Sequence, residues 1–299
     1  MDADNCWKAF ALTGKISHYL DYRRAAAGAA ALGRGRAMDE FVIRGLVLQE
    51  IEYGESDRIL KILTAEKGLI TAFAKNSMRL TSHLFAACGQ LCYSEFVLRP
   101  GRNTEDRMYT VVEAGYEDDF RNIGYSFEAQ GVAMYMVEFT LALSLADQPA
   151  EKELKLLMNC LYKICQQKTD PKLVKAVFEL RMTCECGFQP QLLCCQGCGA
   201  YDGDQFCLDI EDGRLLCANC AAKEGKACNL DKGALFAVRY ICLVEDKRIF
   251  GFRISAASAR LLYAAAEQYA LAHMDKPLNS LKFLRSLPAW DPDQQPKKD

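Results

Sequence analysis

Two pairs of cysteines, Cys195-Gln-Gly-Cys198 and Cys217-Ala-Asn-Cys220, stand eighteen residues apart. Each Cys-x2-Cys pair can turn as a tight knuckle, and the stretch between them is long enough for a short hairpin, so the spacing predicts one tetrahedral four-cysteine zinc site. Four soft thiolates close such a site and leave no position for water or substrate, which makes the expected zinc structural. Gly197 and Gly199 suit the sharp turn, since residues without a β-carbon tolerate positive φ. Cys194 adjoins Cys195 and is an alternative ligand. Cys184, Cys186 and Cys207 lie near in sequence but make no second spaced pair.

A second group of residues has chemistry for phosphate. Lys75-Asn-Ser-Met-Arg79-Leu-Thr-Ser-His83 combines cationic and hydroxyl side chains, and Arg99, Arg102 and Arg107 follow around a later turn. Such residues can line a groove that tracks a nucleic-acid backbone. A solvated surface is the competing reading, because residues 40–121 carry ten Lys or Arg against thirteen Asp or Glu. Tyr93, Phe96 and Tyr109 are of a type that stacks on bases, although strand aromatics more often pack in a sheet. Catalytic patterns are thin. None of His18, His83 and His273 is followed two residues later by Glu, as a zinc deaminase requires, and no Walker-type phosphate loop is present.

The elements that must hold these groups follow from periodicity. The 299 residues are 51% hydrophobic and 25% charged with a net charge of -2, the profile of a globular protein of two or three domains without general attraction to nucleic acid. Fifteen cysteines, an odd number in a long chain, indicate a reducing compartment and a cytoplasmic location, not a disulfide framework. No run of eighteen apolar residues exists to span a membrane. Residues 1–37 read as a disordered leader or upstream translated extension, with Met38 a candidate start. Strands are expected over 41–51, 59–64, 69–74, 91–98 and 108–114, separated by turn residues such as Glu52 to Asp57. Five short strands in about eighty residues suggest a closed OB-type barrel over 38–121.

Helical periodicity takes over afterwards, with helices expected over 127–146, 151–167 and from Asp170-Pro171 to Met182. Strands at 205–208 and 214–217 form the body of a ribbon over 191–224, and helices resume over 231–244, 255–274 and 281–287. The expected fold class is α+β: an N-terminal OB-type β-barrel, then an α-helical domain in two parts (122–190 and 225–287) with the four-cysteine zinc ribbon inserted between them. A frayed tail is expected over 288–299.

Several blocks resemble one known family. Tyr53-Gly-Glu-Ser-Asp57 and Thr64-Ala-Glu-Lys-Gly-Leu-Ile70 come first, then Phe178-Glu-Leu-Arg181 leading through Gly187-Phe-Gln-Pro190 to the first cysteine pair. Leu216-Cys-Ala-Asn-Cys220, Arg248-Ile-Phe-Gly-Phe-Arg-Ile254 and Leu278-Asn-Ser-Leu-Lys-Phe-Leu284 complete the set. In this order they resemble the RecO family of bacterial DNA repair and recombination mediators. The resemblance implies a non-enzymatic, nucleoid-associated protein that binds single- and double-stranded DNA and anneals complementary strands. It further implies help in loading the RecA recombinase onto strands coated by single-stranded-DNA-binding protein, with RecR and the acidic C-terminal tail of the coating protein as partners. The basic loop of that family falls on Lys75 and Arg79, and the ribbon ligands on Cys195, Cys198, Cys217 and Cys220. Relatives often carry Gly and further basic residues in the loop, where this chain has Asn76 and Leu80-Thr81. The rival reading is a zinc-ribbon adaptor that binds only proteins.

Overall fold

Period-two alternation of apolar residues from Phe41 onward makes β1 (Phe41–Tyr53), β2 (Asp57–Thr64), β3 (Gly68–Ala74), β4 (Cys92–Pro100) and β5 (Met108–Asp119). These strands occur in a computed structural model that describes residues 40–101, 108–120, 123 and 126–290. The expected leader, Arg102, Arg107 and the tail beyond Trp290 lie outside those residues. One compact unit runs to Asn122 and includes Leu145–Leu154; a second comprises Ile123–Ser144 and the chain from Lys155 onward.

In the first unit the strands close into a barrel in the order β1-β2-β3-β5-β4. β1 pairs antiparallel with both β2 and β4, while β3 and β5 run parallel. Its interior is filled by Ile43, Val47, Leu60, Ile62, Ala72 and Phe96, joined by Leu84, Ala87 and Cys88. The last three belong to or directly follow a one-turn helix, α1 (Leu84–Ala87), which sequence periodicity did not indicate because four residues carry no measurable period.

The register of β1 contains a bulge. Val47 pairs with Ile62 but Gln49 pairs with Lys61, leaving Leu48 as an extra residue. Before the bulge the odd-numbered residues Ile43 and Val47 point into the core; after it Ile51 and Tyr53 point outward, 43% and 57% exposed. A one-residue insertion inverts the faces of everything that follows it.

The second unit begins with α2 (Phe127–Leu143), capped by Ser126, whose hydroxyl accepts the Ala129 N–H. The helix was expected to reach residue 146, yet it stops at Leu143 because the next stretch is held elsewhere. Leu69 N–H donates to the Leu145 carbonyl, and Ala150 N–H to that of Ala65. Gly68 has φ of +60°, and a β-carbon there would stand 2.2 Å from the Gln148 carbonyl oxygen, so only glycine admits the contact. α3 (Glu151–Cys165) buries Leu154, Leu157, Leu161 and Ile164.

α4 (Pro171–Glu185) starts at the Asp170 cap. Between it and α7 (Ala256–Ala272) lies a buried polar network. Lys175 Nζ donates to Glu179 Oε1 at 2.5 Å and to Glu267 Oε2 at 2.7 Å, and the Tyr135 hydroxyl donates to Glu179 at 2.6 Å. Burial pushes the Glu179 carboxyl above its usual range despite Lys175 beside it. α8 (Asn279–Ser286) is tied to α2 by Glu138, whose carboxylate accepts the N–H groups of Asn279 and Ser280. No helix among the described residues is long and apolar enough to cross a membrane.

Removing one partner from a buried ion network strands the others, at a cost of about 3–5 kcal/mol. Lys175→Met is therefore expected to lower the stability of the helical unit by about that amount, read as a reduced midpoint in urea denaturation. Lys175→Met as stable as the parent would show that the network contributes nothing.

Candidate metal centre and nucleic-acid interface

The ribbon is built from β6 (Gln205–Asp209), β7 (Arg214–Cys217), a short helix α5 (Ala218–Lys223) and β8 (Leu230–Asp231), with sheet order β7-β6-β8. Cys195 and Cys198 sit in a knuckle closed by the Gly199 N–H on the Cys195 carbonyl at 2.8 Å. Cys217 ends β7 and Cys220 lies in the first turn of α5, so strand-to-helix geometry aims the second pair at the first. The four sulfur positions of Cys195, Cys198, Cys217 and Cys220 all lie within 4.8 Å of one another. Cys194, the alternative ligand, is not in this cluster, nor are Cys184, Cys186 and Cys207.

The cluster fits a tetrahedral ion. With metal–sulfur bonds of about 2.3 Å, neighbouring sulfurs stand roughly 3.8 Å apart; Cys198 Sγ and Cys217 Sγ are separated by 3.6 Å. Its electrostatics agree. Burial alone would raise the Cys195 thiol, but N–H groups of Cys217, Gly197 and Cys198 bring its pKa down to about 6. Hydrogen bonds from Cys198 and Cys217 push Cys220 up to about 12. One thiolate thus forms readily while Cys198 and Cys220 resist ionising beside it, a conflict that a divalent cation relieves.

The two glycines of the knuckle work differently from each other. Gly199 has φ of +76°, as the turn reading requires, whereas Gly197 does not adopt positive φ. A β-carbon on Gly197 would instead stand 2.9 Å from Cys220 Sγ. Glycine is needed there to let one knuckle approach the other.

The ribbon is bound to the helices of its unit. Arg239, on α6 (Lys232–Leu243), donates to the carbonyls of Leu192, Leu193 and Tyr201, and its guanidinium lies 4.4 Å from the Tyr201 ring centroid. Gln191 N–H donates to the Gly213 carbonyl at 2.7 Å, and the Tyr269 hydroxyl of α7 to that of Phe188.

On the barrel, Lys75 follows β3 directly and is exposed, as is Arg79. The loop between them is pinned to the β1–β2 turn: Asn76 N–H donates to Asp57 Oδ1 at 2.6 Å and Met78 N–H to the Ser56 carbonyl at 2.9 Å. Asn76 has φ of +56°, the left-handed conformation that glycine takes most easily and that Asn tolerates better than most residues. The Gly-to-Asn departure therefore keeps the turn. Arg99 is half exposed and paired with Glu40. Tyr109 and Phe96 belong to the core or pack on it, which removes them as stacking candidates; Tyr93 is half-buried.

Comparison with known proteins bears on both units. The family model described as recombination protein O N terminal matches residues 38–116, and that described as recombination protein O C terminal matches 125–282. The chain belongs to the RecO family. Among curated relatives of that family, the DNA repair protein RecO of Acetivibrio thermocellus is 31% identical over 243 residues, covering 81% of this chain and 95% of the relative. The proteins of the same name from Caldicellulosiruptor saccharolyticus and Alkaliphilus metalliredigens are 27% and 25% identical, covering 81% of this chain and 96% and 98% of theirs. RecO membership makes the chain a non-enzymatic protein, in line with the closed four-thiol cluster.

Two residues of this RecO barrel escaped sequence reasoning. Tyr53 was placed in a turn, but β1 extends to it and its ring packs edge-on against Phe73 with centroids 5.8 Å apart. Arg58 was also passed over; it pairs with Glu50 and bonds the carbonyls of Ser77 and Phe85, bracing the basic loop.

Gly197→Ala is expected to force Cys220 aside and loosen the metal centre. Chelator-driven metal release should be faster than in the parent. Equal release from Gly197→Ala and the parent would refute the close-approach role.

Proposed function

We propose that this protein is a DNA repair and recombination mediator that binds single- and double-stranded DNA, anneals complementary strands and assists RecA loading on strands coated by single-stranded-DNA-binding protein. Its partners in this reading are RecR and the C-terminal tail of the coating protein, with RecA affected indirectly. The observation that carries the reading is the match of both the barrel and the helical unit to the RecO family, together with exposed Lys75 and Arg79 on a braced loop. Arg99, Arg102 and Arg107 are the further proposed DNA contacts.

No catalytic group is needed. Annealing requires that phosphate repulsion be screened while two strands search for register, and cationic side chains do this by displacing counterions. Lys75 and Arg79 are not engaged in ion pairs among the described residues, so their full charge is available to phosphates. Arg99 must first give up Glu40. Cys195, Cys198, Cys217 and Cys220 would hold one zinc ion, which supplies no chemistry beyond cross-linking the ribbon. The ribbon core around Cys195, Cys207, Leu216 and Ala221 is too small to hold its shape alone, so the metal contributes folding free energy directly.

The adaptor reading draws on the acidic balance of the barrel and on the Arg99–Glu40 pair. Titration with plain oligonucleotides separates the two. Affinity for single-stranded DNA is expected to fall with salt at a log-log slope of about -0.7 per neutralised phosphate, and Lys75→Ala with Arg79→Ala should reduce that slope by about 1.4. Binding that ignores salt, or is absent in dilute buffer, would exclude the mediator reading.

Cys217→Ser is expected to abolish metal retention and to unfold the ribbon, measured by metal content and by proteolysis within 191–224. A folded, metal-free Cys217→Ser variant would contradict the structural role.

A further inference from the structure

The four thiols of the metal centre differ in what covers them. Cys195 is 1% exposed, and its sulfur accepts N–H groups from Cys217, at 3.1 Å, and from Gly197 and Cys198. The main chain of Gly197 lies against Cys220, close enough that a β-carbon there would stand 2.9 Å from Sγ. Cys217 is half-buried at the end of β7. Cys198 alone of the four is exposed, and its sulfur accepts a single main-chain N–H, that of Ala200. Its Sγ stands 3.6 Å from Cys217 Sγ, so a bond of about 2.05 Å between these sulfurs needs only a small approach.

We propose that Cys198 is an oxidation site for hydroperoxides, with Cys217 as its resolving partner. The site rests on the zinc reading above, because a thiol that ligates a divalent ion is held as the thiolate, the form that attacks peroxide. With all four sulfurs in that form, access decides which one reacts, and access favours Cys198. The step balances on the two side chains, peroxide and solvent. Cys198 Sγ attacks one peroxide oxygen: an S–O bond forms, the O–O bond breaks, and hydroxide leaves and takes a proton from solvent. Cys217 Sγ then attacks Cys198 Sγ: the S–S bond forms, the S–O bond breaks, and a second hydroxide leaves and is protonated in the same way. The sulfur pair loses two electrons and the peroxide gains them.

The consequence for the ribbon is specific. A Cys198–Cys217 disulfide keeps the first knuckle fastened to β7 by a covalent bond in place of metal coordination. It also withdraws two of the four donors, and the remaining pair, Cys195 and Cys220, no longer makes a closed tetrahedral site. α5 loses most, because Cys220 is its tie to the knuckle and Ala221 is its only buried residue. Oxidation should therefore loosen α5 while β6 and β7 stay paired.

The test treats the full, zinc-loaded chain with hydrogen peroxide, follows zinc release with a chromophoric chelator and maps the products by tryptic mass spectrometry. The expected result is one zinc released per peroxide consumed, with a disulfide that joins peptide 182–214 to peptide 215–223 through Cys198 and Cys217. Amide exchange in the oxidised protein should rise in 218–223 and not in β6 or β7, and a dithiol reductant with added zinc should restore the metal content. Cys198→His removes the exposed thiol yet keeps a zinc ligand, so its zinc should survive the peroxide dose that empties the parent. Release at the parental rate from zinc-loaded Cys198→His, or a first disulfide made by another pair such as Cys195 with Cys198, overturns the site and leaves the structural zinc standing. A parent that holds no zinc even after loading overturns the zinc reading and the site together. Should Cys198→His fail to retain zinc, the disulfide map of the parent decides alone.

Discussion

Closure of the barrel is the constraint from which the surface of the first unit follows. β1 must serve two neighbours, pairing along Phe41 to Leu46 with β4 and along Gly45 to Tyr53 with β2. A regular strand cannot turn sharply enough to do so. The extra residue at Leu48 bends and twists β1, and its side chain is fully buried. The same residue reverses the alternation beyond it, so closing the barrel and presenting Ile51 and Tyr53 to solvent are one geometric event.

A different logic governs the second unit. Its helices pack through large buried rings, with Phe139 and Phe178 5.6 Å apart between centroids, yet their centre also holds Lys175, Glu179 and Glu267. Charges so placed bring little net stability compared with apolar side chains of the same size, but they admit few alternative partners. The ribbon adds a third kind of order. Four thiols are gathered on a scaffold with a minimal core, placed where a single ion could cross-link them.

Much of this was legible in the residues, for reasons that differ by element. The four-cysteine cluster could be read because ligand geometry is encoded over a few positions and survives any arrangement of the rest. Strands and long helices could be read from period, and the N-caps at Ser126, Asp170, Asp231 and Ser255 lie where the expected helices begin. What escaped was set by tertiary pairing. Nothing local in Val47-Leu48-Gln49 announces a change of phase, since Leu46, Val47 and Leu48 are all fully buried. Residues 145–154 looked like the end of one helix and the start of another, but the carbonyls of Leu145 and Gln148 stand against Gly68, a pairing that no local period announces. The basic loop was visible as composition, but its bracing by Asp57 and Ser56 required the β1–β2 turn to be in place.

Arg239 holds the ribbon by three main-chain oxygens, those of Leu192, Leu193 and Tyr201. A clasp of that kind is indifferent to which side chains the ribbon carries at the grasped positions and demanding about the hand that grasps. Side chains at the grasped positions can thus change without loosening the clasp, whereas a lysine ammonium at 239 has no planar fork to reach three carbonyls at once.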